Sequence, residues 1–113
     1  MVALTAKYRL HIQTAIVDGR RALAEADRCG LPRAAIVAHQ ASAYALFESA
    51  NWGAAEAECA AALGKARELG AIRFASISEH LLSEIYRLQG HKEAARSAAS
   101  KAWEVSKATG PMF

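Results

Sequence analysis

The chain has 113 residues, which suffice for one domain with a modest core and leave no room for a second. Its 14 basic and 11 acidic residues give a net charge of +3, but they are interleaved, whereas a nucleic-acid surface needs clustered Lys and Arg. We therefore expect no nucleic-acid partner. Alanine occurs 28 times, and strand-favouring residues never alternate over more than a few positions, which predicts an all-α fold without a sheet.

Three features point to a cytoplasmic protein that does not enter a membrane. Cys29 and Cys59 have neither Cys-x-x-Cys nor disulfide-framework spacing, so we expect both to be small buried residues. Near the N-terminus, Lys7, Arg9 and His11 interrupt the apolar core that a signal peptide would need. No apolar run approaches the roughly 18 residues of a membrane span.

The first segment, residues 1–30, carries apolar residues at helical spacing and has no strong helix breaker before Gly30. Two interpretations remain open. A short helix could turn near Leu10 and His11 into a second helix, or one long helix could cover residues 2–28.

The next segment predicts a pair of helices. Pro32 suits the first turn of a helix over about 32–49, where its missing N–H group costs nothing. Asn51 is a favourable N-cap for a second helix over 52–69, and Gly70 then ends that helix.

Residues 71–110 predict a second pair of helices, joined near Gly90 and closed by Gly110. The first helix of this pair has a face of large apolar residues: Phe74, Ile77, Leu81, Leu82, Ile85 and Leu88. The second has mostly methyl-sized side chains, which let two helix axes approach closely: Ala94, Ala95, Ala98, Ala99, Ala102 and Trp103.

The helix-ending glycines Gly30, Gly70 and Gly110 lie 40 residues apart, which is the clearest periodic signal in the chain. Six positions are identical between 31–70 and 71–110, and several of them fall on the packing seam and at the end of the second helix. We therefore expect a single domain, 1–113, of about two and a half repeats: 1–30, 31–70 and 71–110.

One motif in the last repeat relates the chain to a known family. It reads Leu82-Ser83-x-x-Tyr86-x-x-x-Gly90-x-x-x-x-Ala95-x-x-x-Ala99-x-x-Ala102-Trp103. This spacing resembles the tetratricopeptide repeat family, in the variant with periods near 40 found in bacterial regulatory ATPases, cyclases and transcription activators. Ala50 and Leu10 replace the turn glycine in the two earlier repeats. The resemblance implies a right-handed stack of antiparallel helical hairpins, an α-solenoid of five to six helices, cut from a longer protein.

The resemblance also implies a function. In that family the first helix of each hairpin lines a concave groove that receives a peptide or a partner helix. We thus expect a non-catalytic protein-protein interaction module, the sensing or scaffolding part of a bacterial regulatory protein. The matching groove positions are Leu4, Lys7, Tyr8, Val37, Gln40, Tyr44, Phe47, Glu48, Ile77, His80, Glu84, Arg87 and Leu88.

Tyr44 and Phe47 are the most informative of these positions, because exposed aromatic side chains supply large contact area at low entropic cost. The competing interpretation is that Tyr44, Val37, Ile77 and Leu88 belong to the core, as apolar residues at helical spacing usually do.

An enzyme is not expected. His80 and Glu84 are spaced to share a helix face, yet no nucleophile, glycine-rich loop or acidic pair accompanies them, so a solvated pair is the simpler interpretation. No cofactor is implied. Metal binding is not expected either, because the histidines and cysteines lie on separate elements without ligand spacing. We expect Trp52 and Trp103 to pack between hairpins.

Self-association is the alternative function. Each hairpin of a stack buries a face against its neighbour, and the terminal units need a polar cap. The last helix instead carries small and apolar residues with nothing following to cover its far side: Ala95, Ala98, Ala99, Ala102, Trp103 and Val105. The chain is thus expected to cover this face by pairing with a second copy as a homodimer.

Overall fold

The computed structural model describes the backbone of residues 6–109 and the side chains of residues 8–108. The all-α prediction is confirmed, because every regular element in that part of the chain is a helix. There are five: α1 (Ala6–Arg28), α2 (Pro32–Glu48), α3 (Trp52–Leu69), α4 (Ile72–Leu88) and α5 (Lys92–Thr109). None of the described helices combines the length and hydropathy needed to cross a bilayer.

The described part of the first segment forms one long helix, α1. Leu10 and His11 lie inside α1, so the interpretation with a turn at this point is wrong. Neither residue favours the left-handed backbone that ends the other helices, and the apolar stripe continues past them. That stripe faces α2 and consists of Ile12, Ile16, Gly19, Leu23 and Ala26.

All four connections between helices use the same backbone turn. Each contains one residue in the left-handed conformation, with φ between 60° and 81°. These residues are spaced 20 apart: Gly30, Ala50, Gly70 and Gly90. The expected stops at Gly30 and Gly70 are confirmed, whereas Gly110 lies outside the described residues.

The hydrogen bonds of the four turns also match. In each, the amide after the left-handed residue donates to the carbonyl five residues earlier, as in a Schellman motif. The pairs are Leu31 to Ala26 at 2.8 Å, Asn51 to Leu46 at 2.9 Å, Ala71 to Ala66 at 2.8 Å and His91 to Tyr86 at 2.8 Å. The backbone therefore repeats every 20 residues, at half the period that the glycines indicated.

Asn51 occupies the N-cap position of α3, as expected, but its side chain makes no capping hydrogen bond. Its backbone carbonyl instead accepts from the Ala55 amide at 3.0 Å. Asn51 therefore marks the start of α3 as predicted, although the capping hydrogen bond on which that prediction was based does not form.

Each helix packs against the next one along the chain, and α2 also contacts α4. Within the described residues, α1 contacts only α2 and α5 contacts only α4. The molecule measures 43 × 38 × 25 Å along its principal axes. A closed bundle, in which the first and last helices meet, is therefore excluded for residues 6–109.

The core is built mainly from small side chains, as the alanine content indicates. The main cluster joins residues of α2 to α5: Ala43, Leu46, Ala55, Cys59, Leu63, Leu81, Leu82, Ile85 and Ala98. A second cluster contains Ile36, Ala62, Ala66 and Ala71, with Phe74 packed against it. Small residues on facing helices allow the close approach that lets α4 settle between α2 and α3.

Several buried polar groups lie at the helix contacts, and each described below has a partner, as burial requires. Glu79 of α4 is buried and accepts a hydrogen bond from Arg67 of α3 at 2.7 Å. His39 of α2 is also buried, and its Nδ1 lies 2.6 Å from a carboxylate oxygen of Glu58. The expectation for cysteine holds for Cys59 only, because Cys29 is exposed in the turn after α1.

Candidate functional site

An open cleft of about 370 Å³ lies where α2, α4 and α5 meet, and we call it the tryptophan cleft. It is lined by Tyr44, Ser76, Ile77, His80, Ala99, Ala102, Trp103 and Ser106. Tyr44 comes from α2, the next three residues come from α4, and the last four come from α5. The cleft therefore exists only because α4 contacts both of the other helices.

The lining of the tryptophan cleft combines apolar and polar side chains. Ser76 and Ala102 are buried, whereas Trp103 is 64% exposed despite its size. The Ser76 hydroxyl donates to the Ala102 carbonyl at 3.3 Å, which satisfies that buried group and ties α4 to α5. An apolar side chain of a partner would thus contact aromatic rings and methyl groups without leaving the Ser76 hydroxyl buried and unbonded.

A second cleft of about 310 Å³ continues along α4 and α5 and shares Ala99 with the first. We call it the basic cleft. Its lining residues are Ser83, Glu84, Arg87, Lys92, Ala95, Arg96 and Ala99. Three cations line this cleft against one carboxylate, Glu84, which binds Arg87 at 2.7 Å. Glu93, next to the cleft on α5, lies 3.6 Å from Arg96, so the cations exceed the nearby carboxylates by one. The local field favours an anionic partner.

The two clefts together contain five of the groove residues expected from sequence, including Ile77 of the tryptophan cleft. Tyr44 and His80 line the tryptophan cleft, and Glu84 and Arg87 line the basic cleft. Glu84 pairs with Arg87 rather than with His80, so the acid–base couple considered above does not form.

Two of the expected groove residues are not available to a partner. Gln40 is buried, and its side-chain amide donates to the Phe74 carbonyl and to the Ser78 hydroxyl, both at 3.0 Å. Phe47 is half-buried and packs against the main core cluster. Both positions serve the contact between neighbouring helices, which explains why helical spacing alone could not separate them from Tyr44.

Tyr8 and Glu48 lie apart from both clefts. The Tyr8 phenol donates to Glu48 at 2.8 Å, which joins the start of α1 to the end of α2 and raises the pKa of Tyr8. Val37 and Leu88 are exposed, whereas Ile77 is half-buried. Leu4 and the side chain of Lys7 lie outside the described residues.

Trp103 is the residue that sequence reasoning placed wrongly. It was expected to pack between hairpins, as Trp52 does against the main core, but no described helix lies beyond α5 to cover it. The available signal was that its neighbours on α5 are mostly small residues, Ala99 and Ala102 among them. Ser76 and Ser106 carried no signal of their own.

Among the side chains of residues 8–108, no group of three or more His, Cys, Asp or Glu residues is placed to hold a metal ion. Comparison of the chain with protein-family models, with curated proteins and with solved structures gave no match.

Proposed function

We propose that the chain is a non-catalytic protein-protein interaction module built as a right-handed stack of antiparallel helical hairpins, similar to the longer-period tetratricopeptide repeats. Three features support this architecture. The turns recur every 20 residues, the helices pack in chain order, and α1 does not meet α5 within the described residues. Contacts such as Tyr8 with Glu48 join the beginning of one helix to the end of the next.

The partner, a peptide or a helix of another protein, binds across the tryptophan cleft. The single observation that carries this proposal is the exposure of Trp103 beside Tyr44, which is itself 45% exposed, over a preformed apolar cleft. Large exposed aromatics at a concave site are typical anchors of protein interfaces. The resemblance further suggests a sensing or scaffolding role within a cytoplasmic bacterial regulatory protein.

Self-association is the second candidate. Besides Trp103, the exposed apolar side chains include Leu10 and Val17 of α1, at the opposite end of the row of helices. Two copies could bury such surfaces against each other. Size-exclusion chromatography with light scattering distinguishes this candidate, since it requires a dimer that the Trp103→Ala variant weakens.

The binding proposal is tested by selecting peptides from a displayed random library on the full chain and measuring their affinities for variants. Tyr44→Ala combined with Trp103→Ala is expected to weaken the selected peptides at least about tenfold, because truncated aromatic anchors commonly cost 2 kcal/mol or more. The matched control is Leu10→Ala, which removes a side chain of similar exposure, 63%, from α1.

Helical circular dichroism must stay unchanged in these variants. Selected peptides that bind the double variant as tightly as the original chain would contradict the proposal.

A further inference from the structure

The hairpin α2–α3 shows what a filled version of the open groove looks like. Its groove is occupied by α4, and the groove residues are buried to 9% exposure or less: Ile36, Gln40, Cys59, Ala62, Leu63 and Ala66. The contacts are specific as well as apolar. Gln40 donates to Phe74 and Ser78 of α4, and the Cys59 thiol lies 3.6 Å from the Ser78 carbonyl oxygen.

Forty residues further on, the same positions line the tryptophan cleft. They are Ser76, His80, Ala99, Ala102, Trp103 and Ser106. Within residues 6–109, no helix packs on α4 and α5 in the way that α4 packs on α2 and α3. The tryptophan cleft is therefore the unfilled counterpart of the groove that α4 fills in the preceding hairpin.

The basic cleft extends this correspondence along the same groove. Its residues Ser83, Ala95 and Ala99 match Ala43, Ala55 and Cys59, which lie in one cluster with Leu81, Leu82 and Ile85 of α4. The two clefts together are thus long enough to hold a helix of about the length of α4, which has 17 residues.

The filled groove also fixes the direction of the occupant. The N-terminal part of α4 packs through Phe74 against Ile36 of the first turns of α2. Its C-terminal part clusters through Ile85 with Ala43, nearer the end of α2. An occupant of the open groove would accordingly run parallel to α4, with its N-terminus near Ser106 and its C-terminus at the basic cleft.

The charges differ between the two grooves at one end only. The basic cleft has three cations at this end: Arg87, Lys92 and Arg96. The residues 40 positions earlier, in the filled groove, are Phe47, Trp52 and Glu56. The last turn of a helix exposes carbonyl groups and carries a partial negative charge. Acidic side chains in the last turn of the occupant would strengthen its attraction to the cations of the basic cleft.

We propose that this continuous groove binds one amphipathic helix of a partner protein, parallel to α4, with apolar residues in its first turns and Asp or Glu in its last turn. The proposal rests on the proposed function and specifies the partner of the same surface. A second copy that presents its own α5 fits less well, because α5 carries four basic and two acidic residues and would bring cations to a basic groove.

The test uses two synthetic helical peptides of equal composition, about 18 residues long, which span roughly 27 Å as helices. Both carry Phe, Ser, Leu, Leu and Ile at the spacing of Phe74, Ser78, Leu81, Leu82 and Ile85. One has three glutamates in its last turn and the other has them in its first turn. Binding to the full chain is measured by fluorescence anisotropy at low salt.

The peptide with C-terminal glutamates is expected to bind about tenfold more tightly. A tenfold difference corresponds to about 1.4 kcal/mol, which several charge–charge and charge–dipole contacts together can supply. The double variant Lys92→Glu with Arg96→Glu is expected to abolish that preference. Its matched control is Arg20→Glu with Arg21→Glu, which reverses two exposed charges on α1 and should leave the preference unchanged.

Three results would overturn the inference. If the two peptides bind with equal affinity and Trp103→Ala weakens both, the binding function is supported but the preference for an acidic last turn is refuted. If Trp103→Ala leaves peptide binding unchanged, the proposed binding function of the tryptophan cleft is refuted as well. A dimer that Trp103→Ala dissociates and either peptide displaces would assign the groove to a second copy.

Discussion

The Cys59 thiol lies between α3 and α4, where burial, and to a lesser degree the nearby Glu79 carboxylate, raises its pKa to about 12. Cys29 is exposed in the turn after α1. Because the thiolate is the reactive form, an aromatic disulfide reagent at pH 8 is expected to modify Cys29 rapidly and Cys59 only after denaturation. Rapid modification of both thiols in the native chain would contradict this, and Cys29→Ser supplies the control by removing the fast reaction.

The same thiol predicts a pH dependence of folding. Its pKa is raised from an ordinary 9.0 to about 12 in the folded chain, so above pH 9 the unfolded chain loses this proton first. The stabilising contribution is complete below about pH 9 and is lost as the pH rises towards about 12. Urea denaturation across this range is expected to show a falling free energy of unfolding, with a shallower fall in Cys59→Ala.

Ala50 occupies a backbone conformation that suits glycine, with φ of 60°. A left-handed alanine costs roughly 1–2 kcal/mol, partly offset by the greater freedom of glycine in the unfolded chain. Ala50→Gly is expected to raise the free energy of unfolding by about 0.5–1 kcal/mol in urea denaturation. The control Ala60→Gly, at an exposed position inside α3, is expected to lower it by about 1 kcal/mol. A destabilising Ala50→Gly would contradict the strained turn.

At this scale the sequence predicted the glycine turns but not which side chains would be free. Gln40 and Tyr44 lie on the same helix at similar spacing, yet Gln40 is sealed by α4 and Tyr44 is exposed. The difference arises from where the next hairpin crosses α2, and that crossing is a tertiary property. Trp103 was misplaced for a related reason, because its exposure depends on what lies beyond α5.

At the scale of elements, α1 and α2 meet through a glycine. A methyl group added to Gly19 would overlap the Ser42 hydroxyl, whereas a methyl group added to Gly64 of α3 would meet nothing within 4 Å. Gly19→Ala is therefore expected to lower the free energy of unfolding by about 1–3 kcal/mol, as overpacking does. Gly64→Ala, its control, is expected to raise the free energy of unfolding by about 1 kcal/mol through helix propensity.

The double variant Gly19→Ala with Ser42→Ala separates overpacking from other causes. The next contact of the added methyl group is the Ser42 Cβ at 3.5 Å, which is an ordinary distance. Removing the hydroxyl is thus expected to restore most of the stability in urea denaturation. No restoration would mean that Gly19 is needed for a reason other than its contact with Ser42.

The elements themselves were largely readable from sequence because each ends with a local signal. Gly30 and Gly70 stop α1 and α3, and Pro32 opens α2. Ala50 gave no such signal, since alanine normally favours helix, and the 20-residue backbone period stayed hidden behind a 40-residue sequence period. Leu10 posed the opposite problem, because the repeat suggested a turn where the helix continues.

For the whole molecule, the open row of helices is what leaves a groove unfilled. Within the described residues, α4 packs on both α2 and α3, and no helix packs in the corresponding way on α4 and α5. Composition and periodicity predicted the all-α fold and the helix pairs. They could not predict which positions of the second helix pair line an open cleft, because that depends on how α2, α4 and α5 pack together.

Nuclear magnetic resonance can show directly whether the groove takes a helix parallel to α4. The labelled chain is titrated with the peptide carrying C-terminal glutamates and a paramagnetic tag at its N-terminus. We expect shift changes along α4 and α5, including the Trp103 indole, and broadening near Ser76 and Ser106 but not near Lys92. Broadening near Lys92, or shift changes confined to α1, would contradict this expectation.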